Sequence, residues 1–165
     1  MAVLFLGTEE SNKGRMVALR AGLTEAGLVE GSQYALAIRF GDGDFSRLPQ
    51  LAKELGALKP GLVVASANAV GVARQLVPEV PLVFTGFAAD PIKLGLVRSY
   101  TRPGGMITGN VMNAIGGEES LTEKRIGFFR EMVPNLTRLG MIGVANGLLS
   151  IEEESALRKA SDHPD

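Results

Sequence analysis

Lys59-Pro60-Gly61-Leu62-Val63-Val64-Ala65-Ser66-Ala67-Asn68 is the stretch that decides the fold. Lys-Pro-Gly closes a helix, because proline cannot continue one and glycine accepts the backbone conformation that ends it. Leu62–Ala65 is short and apolar throughout, the composition of a strand covered on both faces. Asn68 can cap a helix that runs to about Val77. Helix, buried strand and helix in direct succession form the unit of a parallel sheet with crossover helices.

Reading outward, the same unit recurs. Ala2–Leu6 is a second apolar strand, closed by Gly7 and Thr8. Ser11 or Asn12 caps the helix that follows, with Met16, Leu19 and Leu23 on one face and Gly27 as its stop. Gln33–Phe40 alternates Tyr34, Leu36, Ile38 and Phe40 with smaller or polar residues, as a strand with two unlike faces does. Gly41–Asp44 is a loop. Ser46 caps the next helix, which has Pro49 in its first turn and a stripe of Leu48, Leu51, Leu55 and Leu58. Beyond the opening stretch, Pro81–Phe84 leads into a fourth strand, Ile92–Tyr100 into a short helix after Pro91, and Met106–Val111 into a fifth strand. A turn at Arg102–Gly105 comes between the last two. Glu118–Val133 is a helix with Leu121, Phe128 and Met132 on one face. Leu139–Val144 reads as a sixth strand and Ile151–Ser161 as a last helix. The pattern predicts an α/β fold with a doubly wound parallel sheet.

Composition bounds the chemistry. The 165 residues are 45% hydrophobic and 21% charged, enough apolar material for a packed core. The 17 basic and 18 acidic residues leave a net charge of −1, without the electrostatic footprint of a nucleic-acid partner. The chain has no cysteine and a single histidine, His163. Disulfides, thiolate metal sites, cysteine nucleophiles and histidine-based triads are thereby excluded. No apolar run approaches the ~20 residues that span a membrane. Met1–Leu6 is too short for a signal-peptide core, so no export signal is expected in the chain as written.

In doubly wound sheets ligands sit beyond the carboxyl ends of the strands. The residues there are small and polar: Thr8, Glu10 and Ser11 after the first strand, Ser66 and Asn68 after the third, and Thr85, Phe87 and Asp90 after the fourth. Ser66 and Asn68 lie where a helix begins, which favours a carboxylate; Asn68 equally serves as a plain cap. Asp90 suits a ligand ammonium or the cap of the helix after Pro91. Phe87 covers an apolar ligand or packs in the core. Gly41-Asp42-Gly43-Asp44 lacks the ligand count of a calcium loop, so it reads as a turn and no metal is expected. Thr8-Glu9-Glu10 resembles a phosphorelay acidic cluster, but Ser66-Ala67-Asn68 stands where such a receiver needs an aspartate. There is no phosphate-binding glycine loop, and Ser66 lacks the glycine frame of a nucleophile elbow. The site chemistry reads as binding without a reaction or cofactor.

Several segments resemble one family. Gly27-Leu28-Val29-Glu30-Gly31-Ser32 is similar to its "GYVEGQN", and Phe45–Ala52 to its "FDRLPALA". Asp90-Pro91, Gly95-Leu96-Val97, Ser99 and Arg102–Gly109 resemble "DPVGLGLVASLARPGGNITG". Lys124-Arg125 and Val133-Pro134 fall where "KRLELLKELVP" has its matching residues. The family is that of ABC-transporter substrate-binding proteins with a type I periplasmic-binding fold. Met106 stands where an asparagine is usual, and Tyr100-Thr101 where small apolar residues are. The resemblance implies a non-catalytic, extracytoplasmic receptor for a small solute such as an amino acid, docking on a membrane permease. It implies an N-terminal ligand-binding lobe over residues 1–113 and the start of a second α/β lobe over 114–165, with the remainder of that lobe absent. The Ser66–Asn68 helix start would then take a ligand carboxylate and Asp90 an ammonium. The alternative is a small cytosolic α/β enzyme or nucleotide-binding domain.

Overall fold

The apolar runs pair as strands because only a neighbouring strand can satisfy their backbone groups once their side chains are buried. In the computed structural model, which describes residues 1–66, 69–76, 78–87, 89–112, 117–143 and 148–162, they form one five-stranded sheet. The strands are β1 (Ala2–Phe5), β2 (Ala37–Phe40), β3 (Val63–Ser66), β4 (Leu82–Phe87) and β5 (Ile107–Val111), in the order β2-β1-β3-β4-β5. β1 is parallel to β2 and β3, and β3 to β4; in register are Leu4 with Arg39, Leu4 with Ala65, and Ser66 with Thr85. The expected doubly wound parallel architecture is therefore present.

Helices cover both faces. α1 (Glu9–Glu25) lies over Val3, Phe5 and Val64, with Met16 in that core and Leu19, Ile38 and Phe40 packed against it. Phe5 stacks on Phe40 with ring centroids 5.8 Å apart. α2 (Leu48–Ala57) and α3 (Ala69–Leu76) pack together on the other face, against β1 and β3. α2 buries Leu48, Leu51, Ala52 and Leu55. Leu58, expected in the same stripe, lies just past the helix end and is exposed.

Several expected boundaries move, each for a local reason. α1 begins at Glu9, capped by Thr8 instead of Ser11 or Asn12, because Thr8 has extended backbone angles and its hydroxyl oxygen accepts the Ser11 N–H at 3.1 Å. Asp44, not Ser46, caps the 3₁₀ turn Phe45–Arg47 that leads into α2, accepting the Ser46 N–H at 2.8 Å. The Asp44 carboxyl is held below its ordinary pKa by those bonds to Ser46. The second strand keeps only Ala37–Phe40, after a turn over residues 31–33. Residues 92–100 form no helix. One turn after Asp90 is closed by Gly95 at φ +63°, with the Leu96 N–H on the Pro91 carbonyl and the Gly95 N–H on that of Ile92.

Two compact units divide the chain. Unit 1 is Met1–Gly86 with Val97–Asn110, and unit 2 is Phe87–Leu96 with Val111–Asp165. Within unit 2, α4 (Gly117–Met132) packs on α5 (Leu148–Asp162), and Arg125 donates to Glu153 at 3.3 Å. Of the apolar residues expected on one face of α4, Phe128 is 63% and Met132 74% exposed, while Leu121 is half-buried. Among the described side chains of α4 and α5, Thr122, Ile126 and Ala156 are buried, since the neighbouring helix selects the face. The expected strand Leu139–Val144 is not formed over residues 139–143, whose backbone finds no ladder partner among the described residues; Val144 lies outside them.

Candidate functional site

Each parallel strand ends at the same edge of the sheet, so the segments that leave those ends are neighbours in space although distant in sequence. Thr8 follows β1. Its hydroxyl caps α1, and its carbonyl oxygen accepts from the Ser11 hydroxyl at 3.0 Å and the Asn12 amide at 2.8 Å. Asn12 is buried, and its side-chain oxygen accepts from Arg15 at 2.9 Å. Thr8 and Ser11 are thus brought together by a local network that orders the first helical turn. Replacing Thr8 with alanine is expected to lower stability by about 1 kcal/mol in chemical denaturation. Ser11→Ala should cost less than half of that, because its hydroxyl leaves no helix donor unpaired.

Ser66 and Thr85 are register partners in adjacent strands. Side chains alternate along a strand, so both project on the face of Val64, the one covered by α1. Ser66 is buried and Thr85 half-buried, and they mark the change from apolar core to polar strand end. Glu10 takes a different place. It lines a groove of about 470 Å³ between α1 and β2, with Lys13, Met16, Ile38 and Phe40. Asn68 lies outside the described residues.

Phe87 and Asp90 belong to unit 2. Phe87 is buried at 3% exposure, as a packed aromatic would be. One Asp90 carboxylate oxygen accepts the Ile92 N–H at 2.8 Å and the Lys93 N–H at 3.4 Å, so the capping role foreseen for it is filled, on a turn instead of a helix. Within unit 1 the described residues join Thr8 with Ser11, by hydrogen bonds, and Ser66 with Thr85, in register.

Two further features of this sheet edge escape a reading of the sequence. The Gly41–Asp44 loop is tied to the end of β1, with the Gly41 N–H on the Phe5 carbonyl at 2.8 Å and the Gly43 N–H on that of Leu6 at 2.7 Å. Its acids are engaged locally, Asp44 as a cap and Asp42 in an ion pair with Arg47. The second feature is Asn110, at the end of β5, whose side-chain oxygen accepts the Gly86 N–H at 3.0 Å. A lone asparagine among Ile107-Thr108-Gly109 and Val111 was the available signal. Among the described residues Glu54, on α2, is a second carboxyl held below its ordinary pKa, by its hydrogen bond from Arg39. Among the described residues, no group of acidic or histidine side chains is arranged to hold a metal ion, and no helix is long and apolar enough to cross a membrane.

Solved structures share this arrangement. A conserved domain protein from Vibrio cholerae O1 biovar El Tor superposes with a TM-score of 0.72 at 22% identity, over 98% of this chain and 53% of its own. An ABC domain from Streptococcus pneumoniae in complex with L-Trp gives 0.70 at 22% identity, over 98% and 52%. A substrate-binding protein with adhesive properties from Clostridium difficile, in a ligand-free, open form, gives 0.63 at 16% identity, over 98% and 53%. The chain therefore spans about half the length of the solved structures it matches, and at these identities the likeness establishes the fold alone. No curated protein matches it. At the level of sequence, residues 3–160 match the family described as ABC transporter substrate binding protein. With that match over nearly the whole chain and the parallel sheet already in place, the protein belongs to the ABC-transporter substrate-binding family.

Proposed function

We propose that this chain provides one wall of a cleft for a small amino-acid-like solute, in a receptor that works outside the cytoplasm with the membrane permease of an ABC transporter. Residues 1–113 are the ligand-binding lobe in this reading, and residues 114–165 belong to the second. Ser66 and Thr85 carry the proposal: two short hydroxyl side chains in register at the ligand end of the sheet, next to apolar Val64 and Val83. Such groups can hydrogen-bond a ligand at small entropic cost. Thr8, Glu10, Ser11 and Asn68 are the other proposed polar contributors from this lobe, with Phe87 as the last residue of β4 and Asp90 beyond it. The L-Trp bound to the Streptococcus structure supports an amino acid as the ligand class. Receptors of this kind hold the solute without changing it, so no nucleophile or cofactor enters the mechanism. The ligand shifts an equilibrium between conformations by its preference for one of them.

The test is a calorimetric titration of the protein with L-tryptophan, a panel of other amino acids, and nucleotides. Amino-acid binding is expected, weakened about fivefold by Ser66→Ala through loss of one hydrogen bond. Asp90→Asn separates two roles, since asparagine keeps the oxygen that accepts from Ile92 and Lys93 and loses the charge. A charge contact with the ligand ammonium predicts at least tenfold weaker binding with unchanged thermal stability. Binding of a nucleotide followed by its hydrolysis would overturn the reading.

A further inference from the structure

β4 and β5 do not pair regularly along their whole length. At one end the Leu82 N–H donates to the Met106 carbonyl at 2.8 Å. Continued in step, a parallel ladder would bring the Gly86 N–H to the Asn110 carbonyl and the Met112 N–H to the Gly86 carbonyl. Instead the Gly86 N–H finds the Asn110 side-chain oxygen, and the Met112 N–H goes one residue further, to the Phe87 carbonyl at 2.8 Å. β4 thus carries one extra residue there, a bulge, and Gly86 takes φ +61°, where a side chain would be strained.

Burial along β4 shows the consequence. Leu82 and Phe84 are buried while Val83 and Thr85 are half-buried, as alternation requires. Gly86 is half-buried and Phe87 buried, so the alternation slips by one at the bulge. Without the slip, Thr85 and Phe87 would project on the same face.

We propose that Asn110 is a positioning residue of the solute site: by lending its amide oxygen to the Gly86 N–H, it holds the bulge that keeps Thr85 at the ligand end of the sheet and Phe87 among the buried residues. Its use for a ligand rests on the solute-binding reading above; the holding of Gly86 does not. Gly86 and Asn110 are also the last residues of unit 1 on their two strands, the points at which the chain passes into unit 2. The fit of residue type is specific. The side chain must supply an acceptor of amide length, without which the bulged N–H has only water to bond. Aspartate offers the same oxygen at the same reach, and leucine has the same size without it.

The experiment is amide hydrogen exchange and proton–nitrogen correlation NMR on the full chain, as wild type, Asn110→Leu and Asn110→Asp. Asn110→Leu is expected to speed exchange at Gly86 about three- to tenfold and to shift its amide proton upfield, with Leu82 and Val64 unchanged. Asn110→Asp should keep the wild-type rate. An unchanged Gly86 in Asn110→Leu overturns the proposal, as does an equal acceleration at Leu82 and Val64, which would mean general loosening of the sheet. In an L-tryptophan titration of the same samples, Asn110→Leu should weaken binding about three- to tenfold and Asn110→Asp less than twofold; equal weakening by both overturns the positioning role. A wild type that does not respond to L-tryptophan counts against the amino-acid reading and with it the ligand-site role of Asn110, whereas the exchange measurement needs no ligand and decides by itself whether Asn110 holds Gly86.

Discussion

Substituting alanine for Gly109 is expected to cost about 3 kcal/mol or more, enough to break the β4–β5 pairing. A Cβ at that position would meet the Phe84 carbonyl oxygen inside ordinary contact distance, and two Phe84 ring carbons at 2.5 Å. The oxygen is backbone of a paired strand and cannot withdraw without giving up its ladder. The ring cannot turn away freely, because Phe84 is itself buried at 3% exposure. Overpacking of a rigid site commonly costs 1–3 kcal/mol, and a backbone obstacle places this one at or above that range. The backbone here lies outside the left-handed region, so the requirement for glycine is one of space alone. Chemical denaturation of Gly109→Ala beside Thr108→Ala, an exposed neighbour in the same strand, measures the effect. A loss below 1 kcal/mol in Gly109→Ala would show that the strands can separate locally, and would sink the argument.

Leu4→Ala has the second large expectation, a loss of about 2–5 kcal/mol. β1 lies between β2 and β3, and Leu4 is paired to Arg39 on one side and Ala65 on the other. Its side chain is 1% exposed and, by alternation from Val3 and Phe5, lies on the face covered by α2 and α3. Truncation there removes apolar contacts and leaves a cavity that strands held from both sides cannot close. Domains of this size are stable by about 5–15 kcal/mol in total, so the change is a large share of what holds the fold. Leu58→Ala is the control: that leucine is 58% exposed, and its replacement should stay within about 0.5 kcal/mol. Similar losses for Leu4 and Leu58 would contradict the assignment of the core.

How much of this was legible beforehand follows from the range of the interactions involved. The strands at Ala2, Val63, Leu82 and Ile107 and the helices at Met16, Leu51 and Arg125 were readable, because runs of apolar residues and their period report local burial directly. Helix starts were read less well. Thr8 displaced Ser11 and Asn12, since several adjacent residues could cap and only backbone angles choose among them. In the helix at Gly117–Met132 the period puts Leu121, Phe128 and Met132 on one face but does not say which residues are covered, and the packing partner puts Thr122 and Ile126 inside. Of the strand-end polar residues, the hydroxyls of Ser66 and Thr85 could be placed at the same sheet edge from the parallel direction of the strands. Their pairing in register could not, and neither could the part taken by Asn110.

The sequence by itself therefore determined the five strands of the sheet and the helices between them, their parallel arrangement and, through residues 3–160, the family. Only the tertiary structure decided which face of a helix is covered, where a strand gains an extra residue, and which side chain accepts the hydrogen bond that the ladder gives up. The physical reason is that period and capping are written within a few neighbouring residues. A missing main-chain acceptor at Gly86 is made good by a residue 24 positions away, and only the folded sheet brings the two together.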